Sequence, residues 1–459
     1  MAETPARGTS RRTLLAVGAA ALLGGGSAAA YPLLRRRGGE AAADGPDLPV
    51  LPELAWRSEA GTLTGELVAA PAGAGLAYDG STPGPLLRVR EGDSVRLAFR
   101  NATGAPSSLH LHGLPLAPEV DRPLEHVADG DVSVQEFSLP AGSAGLHWYH
   151  PHPHGDVSRQ ISAGLAGALL VEGAVDEVPA LAACEEHVLL VTGGTTTGGA
   201  LLVNGAERPV LHPARGRTRL RLVNATSDDS LRLGVRLDGA GTRFHLAALD
   251  GHPLAAPREL AELLLPPGGR AELLVDTSAP GRRELRALPH SPYADGGSPS
   301  ADTLLATLVV ASAQEPLPLP AALPAAPPPD VTGAPVRRIV LGGDPGGGFT
   351  VGGRSFEMAD ASGPADVTGR AGTVERWLVV NEHSTDHPFH LHTHPVAALD
   401  DPVLGPGVWR DTVPVPAGSA VELAVDLSGP AGRTVFHCHV ASHEDMGMMG
   451  LVDVLPAGT

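Results

Sequence analysis

The sequence predicts an all-β protein made of several sandwich domains, and three observations carry that expectation. Glycine (58 residues) and proline (44) are abundant while aromatic residues make up only 3% of the chain, a balance that suits short strands joined by turns better than long helices. The length, 459 residues, exceeds what one core organises, so two or three separately packed units are expected. The third observation is internal repetition. Arg96-Leu97-Ala98-Phe99-Arg100-Asn101-Ala102-Thr103 recurs as Arg219-Leu220-Arg221-Leu222-Val223-Asn224-Ala225-Thr226 and again as Arg376-Trp377-Leu378-Val379-Val380-Asn381-Glu382-His383. Each copy is an alternating stretch that runs into an Asn-led turn.

A second phrase follows every copy: Leu139-Pro140-Ala141-Gly142-Ser143, Leu265-Pro266-Pro267-Gly268-Gly269 and Val415-Pro416-Ala417-Gly418-Ser419. Three related β-domains are therefore expected, at 46–175, 176–312 and 336–459. The Pro-rich stretch 313–335 cannot donate ladder hydrogen bonds along its prolines and reads as an extended linker.

Residues 1–45 read as an export signal and its linker. Thr9-Ser10-Arg11-Arg12-Thr13-Leu14-Leu15 is a twin-arginine pattern, followed by an Ala/Gly/Leu run and a cleavage-like Ser27-Ala28-Ala29-Ala30. Export in the folded state to a periplasmic or extracellular location is expected, with no stable membrane insertion after cleavage. The rival reading is an uncleaved anchor that keeps the protein at the cell envelope, since no charge falls between Arg12 and Arg35; the many small residues and the Arg35-Arg36-Arg37 cluster beyond them weigh against it. The chain has no Lys and two Ile, a genomic bias without functional content. A formal net charge of -18 with no basic cluster past the N-terminus excludes nucleic acid as a partner.

Chemistry enters nine and eleven residues past each repeat asparagine. Those positions are His110 and His112 in the first copy, His390 and His392 in the third, but Leu233 and Val235 in the second. The first and third domains carry a site there, and the second has reverted to core. Four segments are dense in histidine: His110-Leu111-His112, His147-Trp148-Tyr149-His150-Pro151-His152-Pro153-His154, His387-Pro388-Phe389-His390-Leu391-His392, and His437-Cys438-His439 followed by His443 and Met448. Residues two apart on a strand project from one face, so each His-x-His offers two imidazoles to one site. The same alternation sends Cys438 to the face opposite His437 and His439, letting one strand serve two metal sites and join them covalently. His387 and His443, with Met448 as a weak axial thioether, complete around Cys438 the His2Cys set of an electron-transfer copper. A thiolate between imidazoles is a soft metal ligand, so a disulfide with Cys184 is not expected. Zinc is the chemical rival, but eight imidazoles beside a separate thiolate exceed a tetrahedral zinc site.

These segments resemble the four copper signatures of the multicopper oxidase family, the laccases and bacterial copper-efflux oxidases, and the resemblance covers essentially the whole chain after the signal. It implies three cupredoxin-like Greek-key β-sandwich domains and four coppers per chain. Type 1 copper would take His387, Cys438, His443 and Met448; type 2 would take His110 and His390; the type 3 pair would take His112, His150, His152, His392, His437 and His439. The second segment offers four histidines, and the choice of His150 and His152 rests on the family phrase Trp-Tyr-His-x-His, which leaves His147 and His154 in supporting places. Pro151 occupies the place of Cys438 in the repeat, so the first domain should lack a type 1 site. The family usually shows Gly after the third His-Leu-His; Thr393 stands here, and a local loop change is the expected consequence.

The implied reaction is one-electron oxidation of a reductant coupled to reduction of dioxygen to water. Protons are consumed, so Asp121 and Glu444, acids at family-matching positions, become the expected catalytic carboxylates. A copper-free scaffold and a copper nitrite reductase are the competing functions; the complete ligand set argues against the first and the paired His-x-His segments against the second. Between reductants, residues 381–386, which lead to His387, contain no Met, which favours phenols over the soft cuprous ion. Glu382 and Asp386 are there as acceptors for a phenolic proton.

Overall fold

The structure, a computed structural model, describes residues 45–194, 199–343 and 348–458. The expected export signal lies outside them. Among the described residues no helix is long and apolar enough to cross a membrane.

Among the described residues strands dominate and fall into three pairs of sheets, matching the three β-domains expected from the repeats and the cupredoxin-like sandwiches implied by the family resemblance. In each first sheet the repeat segment is a central strand: Ser94–Asn101, Arg217–Asn224 and Val374–Asn381. Each also pairs in parallel with the strand that precedes it in the sheet, Thr62–Ala72, Glu185–Gly193 and Val336–Gly343 respectively. Parallel neighbours need a crossover, and the chain supplies it by passing through the second sheet. That sheet closes the same way three times, with Gly84–Arg90 parallel to Gly167–Glu172, Val210–Leu211 to Thr303–Val310, and Val367–Arg370 to Met449–Leu455.

The repeat asparagines explain why the pattern was visible. Asn101 Nδ2 donates to the carbonyls of Ala105 and Val127, Asn224 Nδ2 to those of Asp229 and Leu265, and Asn381 Nδ2 to those of Thr385 and Val415. All three are buried, and each ties the turn that ends its strand to the segment that leads into the next sheet. The recurring Pro-x-Gly phrases turn at Gly142, Gly268 and Gly418, all at positive φ (93°, 80° and 66°). In the second domain the repeat strand is buried on both faces. Its Arg219 and Arg221 are satisfied by Asp176, Glu186 and Glu272 rather than by solvent. The Pro-rich stretch forms neither strand nor helix, yet it is held: Arg217 donates to Leu317 O, and Trp409 Nε1 to the carbonyls of Ala326 and Pro327.

Candidate metal centre

His110 and His112 form a short strand against Gly145–His150, with His110 opposite His150. In the third domain His387–Leu391 lies against Gly432–Cys438, with His390 opposite His437. The two His-bearing sheets meet, so imidazoles of both domains share one pocket. His110 and His392 stack with ring centroids 4.0 Å apart, as do His112 and His390, also at 4.0 Å. His152 Nε2 stands 3.3 Å from His437 Nε2, His392 Nε2 3.1 Å from the same atom, and His439 Nε2 3.2 Å from His112 Nδ1.

Hydrogen bonds fix which ring nitrogen faces inward. Nδ1 of His110 and of His392 meets the two oxygens of Asp121 at 2.6 and 2.8 Å; Nδ1 of His150 meets Pro151 O at 2.9 Å; Nδ1 of His390 meets Asp411 O at 2.8 Å; Nδ1 of His437 meets Cys438 O at 3.0 Å. Their Nε2 atoms are left for the pocket, and those of His110, His150 and His390 have no hydrogen-bond partner. His112 is reversed. Its Nε2 faces Asp411 Oδ1 at 3.0 Å and its Nδ1 turns inward.

The Cys438 side chain emerges on the other face, as the strand alternation requires. Its Sγ is 3.4 Å from His387 Nδ1 and 3.6 Å from His443 Nδ1. The strand ends there, the short helix Ala441–Asp445 lifts His443 back over the thiol, and Gly447 at φ 96° returns the chain to Met449–Leu455. Cys438 N donates to Met448 O and Met448 N to His443 O, both at 3.0 Å, so the buried Met448 is held beside both residues. Phe349, itself half-buried, stacks on His443 with ring centroids 3.8 Å apart.

Burial pushes His110, His112, His390, His392 and His439 well below the ordinary imidazole value, His150 to about 3, His387 to about 2 and His443 to about 4. The same desolvation raises the Cys438 thiol. Burial favours the neutral form of most of these imidazoles, while Glu444 raises His437; a buried pocket whose free ring nitrogens converge on one another, beside a thiol that loses its proton only to a strong positive charge, is what a soft cation completes. Burial would raise Glu444, but His152 (3.2 Å) and His437 (3.1 Å) hold it well below the carboxylate range.

Every residue anticipated for the metals lies at one of these two places, with Asp121 and Glu444 against the imidazole cluster. His147 and His154 stand apart from it; His147 Nε2 faces Ser143 O at 2.9 Å and His154 packs on Phe356 with ring centroids 5.2 Å apart. Cys184 and Cys438 are both free and buried. Thr393 adopts the left-handed backbone (φ 70°) that Gly113 adopts after His112 (φ 94°), a conformation a β-branched residue rarely takes. Sequence reasoning missed Asp411, which supports both His112 and His390, and the aromatic covers Phe349 and Trp148, the latter stacked on His150 with centroids 4.1 Å apart. Trp148 stood inside a quoted motif and could have been found; Asp411 carries no such signal.

Two buried sites bridged by one strand, in a three-sandwich β protein, define a metal-dependent oxidoreductase. Family descriptions of multicopper oxidase match residues 64–175 and 342–458. Multicopper oxidase mco of Staphylococcus aureus is 25% identical over 405 residues, 83% of each chain. Cell division protein FtsP of Salmonella typhimurium is 28% identical over 413 residues, 82% of this chain and 84% of that one. Among solved structures, the multicopper oxidase of Campylobacter jejuni, described as a metallo-oxidase, is 25% identical with a TM-score of 0.78, over 90% of this chain and 96% of that one. The chain belongs to the multicopper oxidase family, and that membership implies copper.

Proposed function

We propose that the protein holds about four coppers and is a laccase-like oxidase, exported by the twin-arginine route, with domain boundaries near 46, 176 and 313. The observation that carries the reading is the strand ending at Cys438: its thiol meets His387 and His443 on one face, while His437 and His439 meet first-domain imidazoles on the other. His387, Cys438, His443 and Met448 would hold type 1 copper, His110 and His390 type 2, and His112, His150, His152, His392, His437 and His439 the type 3 pair. Copper bound there supplies one-electron oxidation of a reductant and four-electron reduction of dioxygen to water.

The chain's own residues do the rest. The Cys438 backbone and side chain form the covalent link between the two sites. Asp121 accepts from His110 and His392, one on each domain, and so sets both rings at once. Asp121 and Glu444 lie against the cluster's imidazoles and are assigned proton delivery.

Phenolic reductants are favoured over cuprous ion. Residues 381–386 bring no thioether to the mouth, and Phe349 offers a half-buried ring against His443. Both mouth carboxylates already have partners: Asp386 accepts from Ala417 N and faces His290 at 3.2 Å, while Glu382 pairs with Arg338 at 2.6 Å. Only Glu382 sits at an exposed pair, which yields to a substrate at little cost. One observation favours the cuprous alternative: Met446, 48% exposed, lies on the turn that carries His443. Steady-state catalytic efficiencies on a substituted phenol and on cuprous ion decide the point; a clear excess on cuprous ion overturns the phenol assignment. The likeness to FtsP raises a non-enzymatic scaffold as a further reading, which metal analysis showing no retained copper would support.

A further inference from the structure

We propose that Arg270, supplied by the second domain that carries no copper ligand, is a positioning residue for the imidazole cluster. It locks Asp411, and Asp411 holds His112 in its reversed orientation; the inference rests on the copper reading above.

Arg270 is fully buried. Its Nη1 donates to Asp411 Oδ1 at 2.6 Å and its Nη2 to Asp411 Oδ2, a two-pronged contact that fixes the carboxylate plane. Its Nε reaches Leu146 O, on the first-domain strand that ends in His150, at 3.3 Å, and its Nη1 also donates to Gly268 O at 3.0 Å. With both oxygens engaged, Asp411 Oδ1 is left facing His112 Nε2 at 3.0 Å, while Thr412 Oγ1 stands 3.2 Å from the same nitrogen. Asp250 completes the frame, taking Arg270 N on Oδ1 at 2.8 Å and the backbone N–H groups of Asp411 and Thr412 on Oδ2 at 3.3 Å. One guanidinium thus spans three domains.

Two further facts point to placement rather than to stability. Burying this many charges is costly in desolvation, and apolar packing would hold the domains together as well. In addition, Gly113, next to His112, is closed in by the same group. A Cβ there would fall 2.9 Å from Asp411 Oδ2, 2.7 Å from His147 Nδ1 and closer still to Arg270. The second domain has its own control. Arg219 is equally buried among Glu272, Asp176 and Glu186. Neither its hydrogen bonds nor its ion pairs involve an imidazole.

The test uses the copper-loaded full chain with Arg270→Gln, Arg270→Lys and Gly113→Ala, and with Arg219→Gln for comparison. Arg270→Gln is expected to keep the blue absorption of Cys438 while losing cluster copper to a chelator at least tenfold faster, with an altered electron paramagnetic resonance spectrum of the copper that remains. Arg270→Lys, which restores the charge but not the fork, recovers part of that loss. Arg219→Gln lowers Tm and leaves copper content and spectrum unchanged. The proposal is overturned if Arg270→Gln retains copper and spectrum and differs from the parent only in Tm. Should Arg270→Gln fail to fold, Gly113→Ala leaves every charge in place and carries the same expectation, so unaltered copper retention there overturns it too. A parent chain that binds no copper sinks both this inference and the reading beneath it.

Discussion

His110–His112 of the first domain and Leu231–Leu237 of the second occupy the same place in the repeat, nine and eleven residues beyond asparagines that make the same hydrogen bonds. The cross-strand partners follow suit. His110 faces His150 and His390 faces His437, but Leu233 faces Ala287. Burial does not distinguish the two kinds of site, since His112 and Leu233 are both 0% exposed. What differs is self-sufficiency. Leucine and alanine complete a core by contact alone, whereas an imidazole buried at the same depth keeps a ring nitrogen that needs a partner. The scaffold is therefore indifferent to its contents, and the histidine-bearing copies hold their fold at a cost that the second copy does not carry.

The sharpest way to break this comparison is at Cys438, which has no counterpart in the second domain. Cys438→Ser should abolish the blue band and reduce turnover to background while the cluster coppers stay bound, because their ligands leave the strand on the other side; turnover close to the parent's would refute the bridging role. Asp121→Asn comes next. Reduction by substrate should proceed normally and reoxidation by dioxygen slow by about a hundredfold, and stopped-flow traces with unchanged reoxidation would remove Asp121 from proton delivery.

Converting one copy into the other tests the comparison directly. The change His390→Leu gives the third domain the leucine that the second carries at Leu233. The cluster should lose copper, yet the metal-free chain should gain about 1–3 kcal/mol in denaturant unfolding, because an unpartnered buried nitrogen is removed. A less stable metal-free variant would mean that the imidazoles pack as well as leucine does. Copper removal from the parent should act in the opposite sense and lower Tm. The smallest effect belongs to Thr393→Gly, expected to stabilise by about 1 kcal/mol by relieving a threonine at φ 70°; a loss of stability would show that the Thr393 methyl packs better than its backbone strains.

Much of this was legible before the fold was known. Spacing of two residues between histidines translates directly into a shared strand face, and the repeat asparagines advertise a turn whose hydrogen bonds recur three times. The Arg270–Asp411 pair was not legible, because residues separated by 141 positions and joined by one ion pair leave no period in the chain. Phe349 was missed for a similar reason: a lone aromatic among glycines looks like core until His443 is found against it. At Thr393 the backbone takes the left-handed conformation of its repeat counterpart Gly113 against the residue's own preference.

The pleat at Gly432–Cys438 has a genetic corollary. Deleting or inserting a single residue in that strand would carry Cys438 to the imidazole side and His437 to the thiol side, exchanging both chemistries in one event and destroying each. Point substitution is then the only mutational route by which such a strand can change gradually. It can empty the pockets one side chain at a time, as residues 231–237 illustrate, but it cannot relocate them. A recombinant built from two such proteins should accordingly take this segment whole, from the turn at Gly432 to the turn at Gly447, with its length untouched.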